Sequence, residues 1–114
     1  MSQIKNHIDF HFNEELGLKE LSRIFYLQPN TISKSFGQVF GKNINSYIHA
    51  VRITHAVRIL EESDLSITEL SAAVGYSSVN TFLRQFREKM NISPLQYKKR
   101  FEQYLKDSGD AQSK

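Results

Sequence analysis

The sequence predicts an all-α domain of about seven helices, arranged as two subdomains joined by a long central helix. Three observations carry this expectation. Apolar residues recur at helical spacing almost throughout, and no stretch alternates long enough to argue a strand. Helix-starting and helix-ending residues, among them Pro29, Ser66, Asn91 and the pair Ser93-Pro94, divide the chain into helix-length segments. Finally, the pattern between Leu18 and Phe36 returns between Ile67 and Phe86. At 114 residues the chain suits one compact domain or two small subdomains sharing a core, and is too short for a catalytic domain beside a regulatory one. Its 39% hydrophobic residues and eight Phe give it the apolar content of a folded protein.

The first helix is expected from about Gln3 to Asn13, with Ile4, Ile8 and Phe12 on one stripe, and Gly17 breaks it. A short helix from Leu18 to Phe25 follows, then a turn at Tyr26 to Gln28. Pro29 opens the next helix, at the one place where its missing N–H has no intrahelical acceptor, and that helix ends near Gly41. The longest helix, Asn43 to Glu62, carries Ile44, Tyr47, Ile48, Val51, Ile53, Ala56, Val57, Ile59 and Leu60, an apolar band too wide for one stripe. A helix buried on two sides acts as a strut shared by flanking units. Ser66-Ile67-Thr68-Glu69 is a capping box that starts a helix at Ile67, running to about Val74. Gly75 turns the chain, a helix covers Val79 to Met90 with Phe82 and Phe86 inward, and Asn91 can take the left-handed conformation that ends it. Ser93 and Pro94 then start a last helix, continuing to about Leu105. The organisation is residues 1–42, first subdomain; 43–62, linker helix; 63–106, second subdomain; and 107–114, a tail without an apolar anchor.

Charge is mild overall, with a formal net charge of +3, but segregated. Ser22 to Leu60 holds five basic residues (Arg23, Lys34, Lys42, Arg52, Arg58) and no acidic one. Tyr76 to Phe101 holds six (Arg84, Arg87, Lys89, Lys98, Lys99, Arg100) against Glu88 alone, while acids gather at Asp9 to Glu20 and Glu61 to Glu69. Such segregation favours a surface facing a polyanion. The chain has no cysteine, so no disulfide or thiolate metal site, which fits a reducing cytoplasm. No apolar run approaches the roughly 18 residues that span a bilayer, so a cytoplasmic protein with no membrane partner is expected.

The repeat is the most informative feature. Leu18, Glu20, Leu21, Ser22 and Phe25 return 49 positions later as Ile67, Glu69, Leu70, Ser71 and Val74, and Ile32, Lys34 and Phe36 return 50 positions later as Phe82, Arg84 and Phe86. Two equivalent helix-turn-helix subdomains follow, with a small residue, Ser22 or Ser71, letting the helices cross closely. Gly75 suits the sharp turn of the second. Tyr26 stands at that place in the first, so its turn needs another geometry or carries strain.

Ser66-Ile67-Thr68-Glu69-Leu70-Ser71-Ala72-Ala73-Val74-Gly75-Tyr76-Ser77-Ser78, then Phe82, Arg84, Phe86 and Ser93-Pro94-Leu95-Gln96-Tyr97, closely resemble the signature of AraC/XylS-type transcription regulators. The resemblance reaches back through Arg52, Ala56, Ile59 and Leu60 and covers roughly residues 3 to 101. It implies a DNA-binding domain whose two recognition helices, 29–40 and 79–90, enter adjacent major-groove segments on one face of double-stranded DNA. Carried over position by position, Asn30, Thr31, Ser33 and Lys34 on the first and Val79, Asn80, Thr81 and Arg84 on the second would face the bases. Asn can pair with adenine, Lys and Arg with guanine, and Val or the Thr methyl can touch the thymine methyl group. Gln28, Ser78, Arg87, Lys98, Lys99 and Arg100 would contact phosphates, adding affinity and register. Relatives of this type carry a further sensing or dimerising domain, so the chain reads as an isolated DNA-binding domain with RNA polymerase a partner in the full-length context; no exposed heptad seam or edge strand offers a self-association surface, so it is expected to be monomeric by itself. Gly37 and Gln38 depart from the basic residues the family carries after Phe36, whereas Arg87 follows Phe86 as expected; the second subdomain should therefore supply more of the affinity.

Blander readings compete at several positions. Arg84 could form an i,i+4 ion pair with Glu88, and Lys98-Lys99-Arg100 could be a solvated helix face. His7 and His11 have a spacing able to hold a metal but no third ligand, and His49 and His55 share no helical row, so these read as solvated and structural respectively. No nucleophile elbow, phosphate-cradling glycine loop or metal triad is present, so neither catalysis nor a cofactor is expected. The alternative to DNA binding is a helical protein-interaction module that has lost it.

Overall fold

A computed structural model describes the backbone of residues 1–112 and the side chains of residues 1–108. Seven helices follow one another: α1 (Ser2–Phe10), α2 (Leu18–Phe25), α3 (Pro29–Phe40), α4 (Ile44–Glu62), α5 (Ile67–Ala73), α6 (Val79–Met90) and α7 (Pro94–Gln112), with no strand among the described residues. None of these helices is long and apolar enough to cross a membrane.

Two apolar cores lie on either side of α4. Ile4, Ile8, Leu16, Leu21, Ile32, Phe36, Ile44 and Ile48 form the first. Ile53, Ala56, Leu60, Leu70, Val74, Tyr76, Phe82 and Phe86 form the second. The wide apolar band of α4 is thereby divided lengthwise, its N-terminal half closing one core and its C-terminal half opening the other. Each subdomain is thus a leading helix, a helix-turn-helix pair and a closing helix, and α4 closes the first while leading the second.

This arrangement extends the repeat beyond the residues that announce it. Gly41 and Asn91, both left-handed at φ 66° and 67°, end the two recognition helices. Asn43 and Ser93 cap the helices that follow: Asn43 Oδ1 accepts from the N–H of Asn45 at 2.8 Å, and Ser93 Oγ accepts from the N–H of Gln96 at 3.2 Å. Gln96 returns the bond to the Ser93 N–H, completing a capping box like that of Ser66 and Glu69. Tyr47 and Tyr97 then donate their hydroxyls back to the respective leading helices, at Asp9 and Glu61.

Two helix ends differ from expectation. α1 stops at Phe10, short of Asn13, and two carbonyls beyond its end are taken by α4: that of Phe12 by Arg52 Nε at 2.8 Å and that of Glu14 by Arg52 Nη2 at 2.8 Å. Phe12 leaves the helical stripe and stacks on His55 of α4, ring centroids 3.8 Å apart, against the second core. α7 runs past Leu105 to Gln112, supported by Gln103 Nε2 donating to Asp107 Oδ1 at 3.0 Å. The tail expected over 107–114 is therefore helical as far as 112, and its last two residues lie outside the described ones.

Both turns use a left-handed residue at the same place, Tyr26 at φ 55° and Gly75 at φ 98°. Tyr26 is 92% exposed, so its side chain meets no obstacle and the cost is backbone strain alone. At Gly75 a Cβ would stand 2.8 Å from the Phe12 carbonyl oxygen and 3.0 Å from Asn13 Cα, because the first subdomain presses against this turn. Replacing Tyr26 by Gly should stabilise the domain by about 1 kcal/mol, whereas Gly75→Ala should destabilise it by about 2 kcal/mol or more. Urea denaturation of both variants checks the pair; a neutral Gly75→Ala would refute the close approach.

His7, His49 and His55 sit below the ordinary histidine value of 6.5, each chiefly because burial disfavours the charged ring. A depressed folded pKa means that the unfolded chain binds protons first, so stability should fall as pH drops below 6.5. Denaturation midpoints at successive pH values should decline through that window, and His49→Gln should flatten the decline.

Candidate nucleic-acid interface

The two recognition helices are held alike. Ile32 and Phe36 anchor α3, and Phe82 and Phe86 anchor α6, all at 0% exposure. Helical periodicity then turns the intervening residues outward. Asn30, Thr31 and Lys34 are exposed on α3 with Ser33 half-buried between them; Asn80 and Arg84 are exposed on α6, with Val79 and Thr81 half-buried. Pro29 starts α3 at its first position, while Ser78 starts α6 by accepting from the N–H of Thr81 at 3.4 Å.

Arg84 makes no ion pair or hydrogen bond among the described residues, so the pair with Glu88 that would occupy it does not form. Its guanidinium is left with a donor fork free for a partner. Gln28, Ser78, Arg87, Lys99 and Arg100 are exposed as well. The last turn of α6 carries Arg87 and Lys89, whereas that of α3 carries no basic residue. Lys89 is partly engaged, its Nζ donating to Ser46 Oγ at 2.9 Å and tying α6 to the start of α4.

Lys98 differs from the expectation placed on it. Its Nζ donates to the carbonyls of Leu60 at 2.6 Å and Ser63 at 2.7 Å and lies 3.7 Å from Asp64, so it neutralises the C-terminal end of α4. An ammonium so occupied serves the fold first, and Lys99 and Arg100 remain as the outward cations of this run.

The residue whose importance spacing alone did not reveal is Arg52. Besides its bonds to the Phe12 and Glu14 carbonyls, its Cζ lies 5.1 Å from the centroid of the Tyr76 ring. Tyr76 in turn hydrogen-bonds His49 Nδ1 at 2.7 Å. Two arginines, Arg52 and Arg58, stand inside the apolar band of the long helix, and spacing cannot tell which of them is solvated. His7 and His11 stack at 4.4 Å, and no group of three or more metal-ligating side chains converges among the described residues.

Residues 21–100 match the family described as helix-turn-helix domain. A Staphylococcus aureus (strain MRSA252) uncharacterized HTH-type transcriptional regulator is 32% identical over 98 residues, covering 86% of this chain and 13% of that protein. The regulator YijO of Escherichia coli K12 is 29% identical over 102 residues, covering 90% of this chain and 36% of that protein. The chain thus spans well under half the length of these relatives. Among solved structures, the C-terminal domain of the two-component response regulator yesN from Fusobacterium nucleatum superposes with a TM-score of 0.81 at 28% identity, over 85% of this chain and 95% of that one. The DNA-binding domain of AdpA, solved in complex with a target DNA, shares the fold with a TM-score of 0.84 at 22% identity, over 90% of this chain and 93% of that one. The family match over 21–100, joined to two helix-turn-helix units of one design, shows that the chain belongs to the AraC-type helix-turn-helix family of transcription regulators.

Proposed function

We propose that this domain binds double-stranded DNA sequence-specifically to regulate transcription, with α3 and α6 in adjacent major-groove segments on one face of the duplex. The observation that carries the reading is the exposed guanidinium of Arg84, which has no ion pair or hydrogen bond among the described residues, beside Asn80 on a helix whose other face is locked by Phe82 and Phe86. A rigid helix presenting an unpaired Arg and Asn can offer two-point bonds to guanine and adenine edges. Asn30, Thr31, Ser33 and Lys34 fill the corresponding places on α3, and Val79 and Thr81 supply apolar contact on α6. Gln28, Ser78, Arg87, Lys99 and Arg100 form the phosphate set, from which Lys98 is withdrawn by its bonds to α4.

The isolated domain acts as a monomeric binding module rather than an enzyme, and in a longer protein RNA polymerase is its further partner, a reading supported by the family alone. A protein-interaction module that has lost DNA binding would leave the unpaired Arg84 and the exposed Arg87 without a use.

Arg84→Ala should lower affinity by about 1 to 3 kcal/mol and relax preference at one base pair, while Lys99→Ala should weaken all sequences alike. Titration on a specific and a scrambled duplex separates the two; equal losses on both duplexes for Arg84→Ala would move that residue to the phosphate set. A Cβ at Gly37 would meet only the Lys42 carbonyl oxygen, at 4.0 Å. Gly37→Arg should therefore stabilise α3 by about 1 kcal/mol and tighten specific and scrambled DNA together, checked by melting and by the same titrations.

A further inference from the structure

Between the two helix-turn-helix units lies an open cleft of about 410 Å³, walled by the chain entering α2, the N-terminal half of α4 and the turn entering α6. Its position is informative. Ser77, in the cleft wall, precedes Ser78 at the start of recognition helix α6, and His49 on its α4 wall lies within electrostatic reach of Arg84, Glu88 and Lys89. The cleft therefore opens beside the reading face of α6 and toward the first unit.

His49 is held on one ring edge there by Tyr76. The Tyr76 hydroxyl, pushed up to about 12 by burial, stays protonated, and the Arg52 cation over its ring makes that hydroxyl the better proton donor. His49 Nδ1 lies 2.7 Å from that hydroxyl, and with the phenol as donor the neutral imidazole carries its proton on Nε2. The edge carrying Nε2 is turned away from Tyr76, on a residue that lines the cleft. A donor held this way by a chain of two neighbours, with no protein acceptor among the described residues, is prepared for an external one. Asn45 and Ser77 add polar side chains to the walls. Glu15 and Glu20 stand on the α2 side, Glu20 being neutralised by Arg23.

Resting on the reading of α3 and α6 as major-groove readers, we propose that this cleft seats one backbone phosphate of the DNA between the two boxes, and that His49 donates to it through Nε2–H. The duplex must cross the gap between its two major-groove contacts, and a phosphate there fixes the register of one unit relative to the other.

The test is titration of the full chain, as wild type, His49→Leu and His49→Gln, on its specific duplex and on a series carrying one neutral methylphosphonate at each backbone position between the boxes. Melting of each variant runs alongside. Wild type should lose about tenfold in affinity at one such position, the value of one hydrogen bond to a charged group. His49→Leu should show no further loss there, and His49→Gln, which keeps an amide donor, should retain part of the sensitivity. A general loss of stability would lower binding evenly and could not erase one position from the series. Undiminished sensitivity of His49→Leu at every position, in a domain that still separates specific from scrambled DNA, would overturn the proposal. Wild type that fails to separate them at all would overturn the DNA reading itself, and this site with it.

Discussion

The relative placement of the two helix-turn-helix units depends on one side chain, that of Arg52. Its guanidinium leaves α4, takes the carbonyls of Phe12 and Glu14 from the first unit and lies over the Tyr76 ring of the second. Gly75 makes this closeness possible by offering no Cβ to the Phe12 carbonyl. Without these contacts the units would be joined only by α4 and by Phe12 against the second core, and a helix is free to bend and its flanking bodies to rock. Loss of the guanidinium would also strand two carbonyls, each costing about 1 to 3 kcal/mol if left without a partner. The clamp converts two small readers into one body.

That body is built by using one plan twice. A leading helix, a helix-turn-helix pair and a capped closing helix with a tyrosine returning to the leading helix describe both halves, and α4 serves both by division of its length. The halves differ where their surroundings differ. Turn 75 is pressed by the first unit and must be glycine, while turn 26 faces solvent and tolerates a tyrosine at the cost of left-handed strain. The cation density of the reading helices differs too, α6 carrying Arg87 and Lys89 in its last turn where α3 has none.

Much of this was legible in the sequence because it rests on local rules. Capping residues, Pro29, the glycine and asparagine helix ends and the inward phenylalanines each declare themselves within a few positions, and the outward residues of α3 and α6 follow from helical periodicity once the buried ones are placed. What escaped depends on partners far along the chain. Phe12 fits the stripe of the first helix but is recruited by His55, and Lys98 sits in a basic run yet is claimed by carbonyls 35 and 38 residues earlier. Arg52 spans similar separations, 40 and 38. A long flexible cation reaches whichever carbonyl the fold brings near, and no spacing rule anticipates that.

If the clamp makes one rigid reader of two units, the DNA it selects must show it. Selection of the domain on a randomised duplex library at near-physiological salt measures this most directly. Two enriched boxes at a single fixed spacing of about one helical turn, roughly 10 base pairs, are the result expected of recognition helices held in one body. A single box, or two boxes at variable spacing, would contradict it and return the units to independent readers joined by a helix.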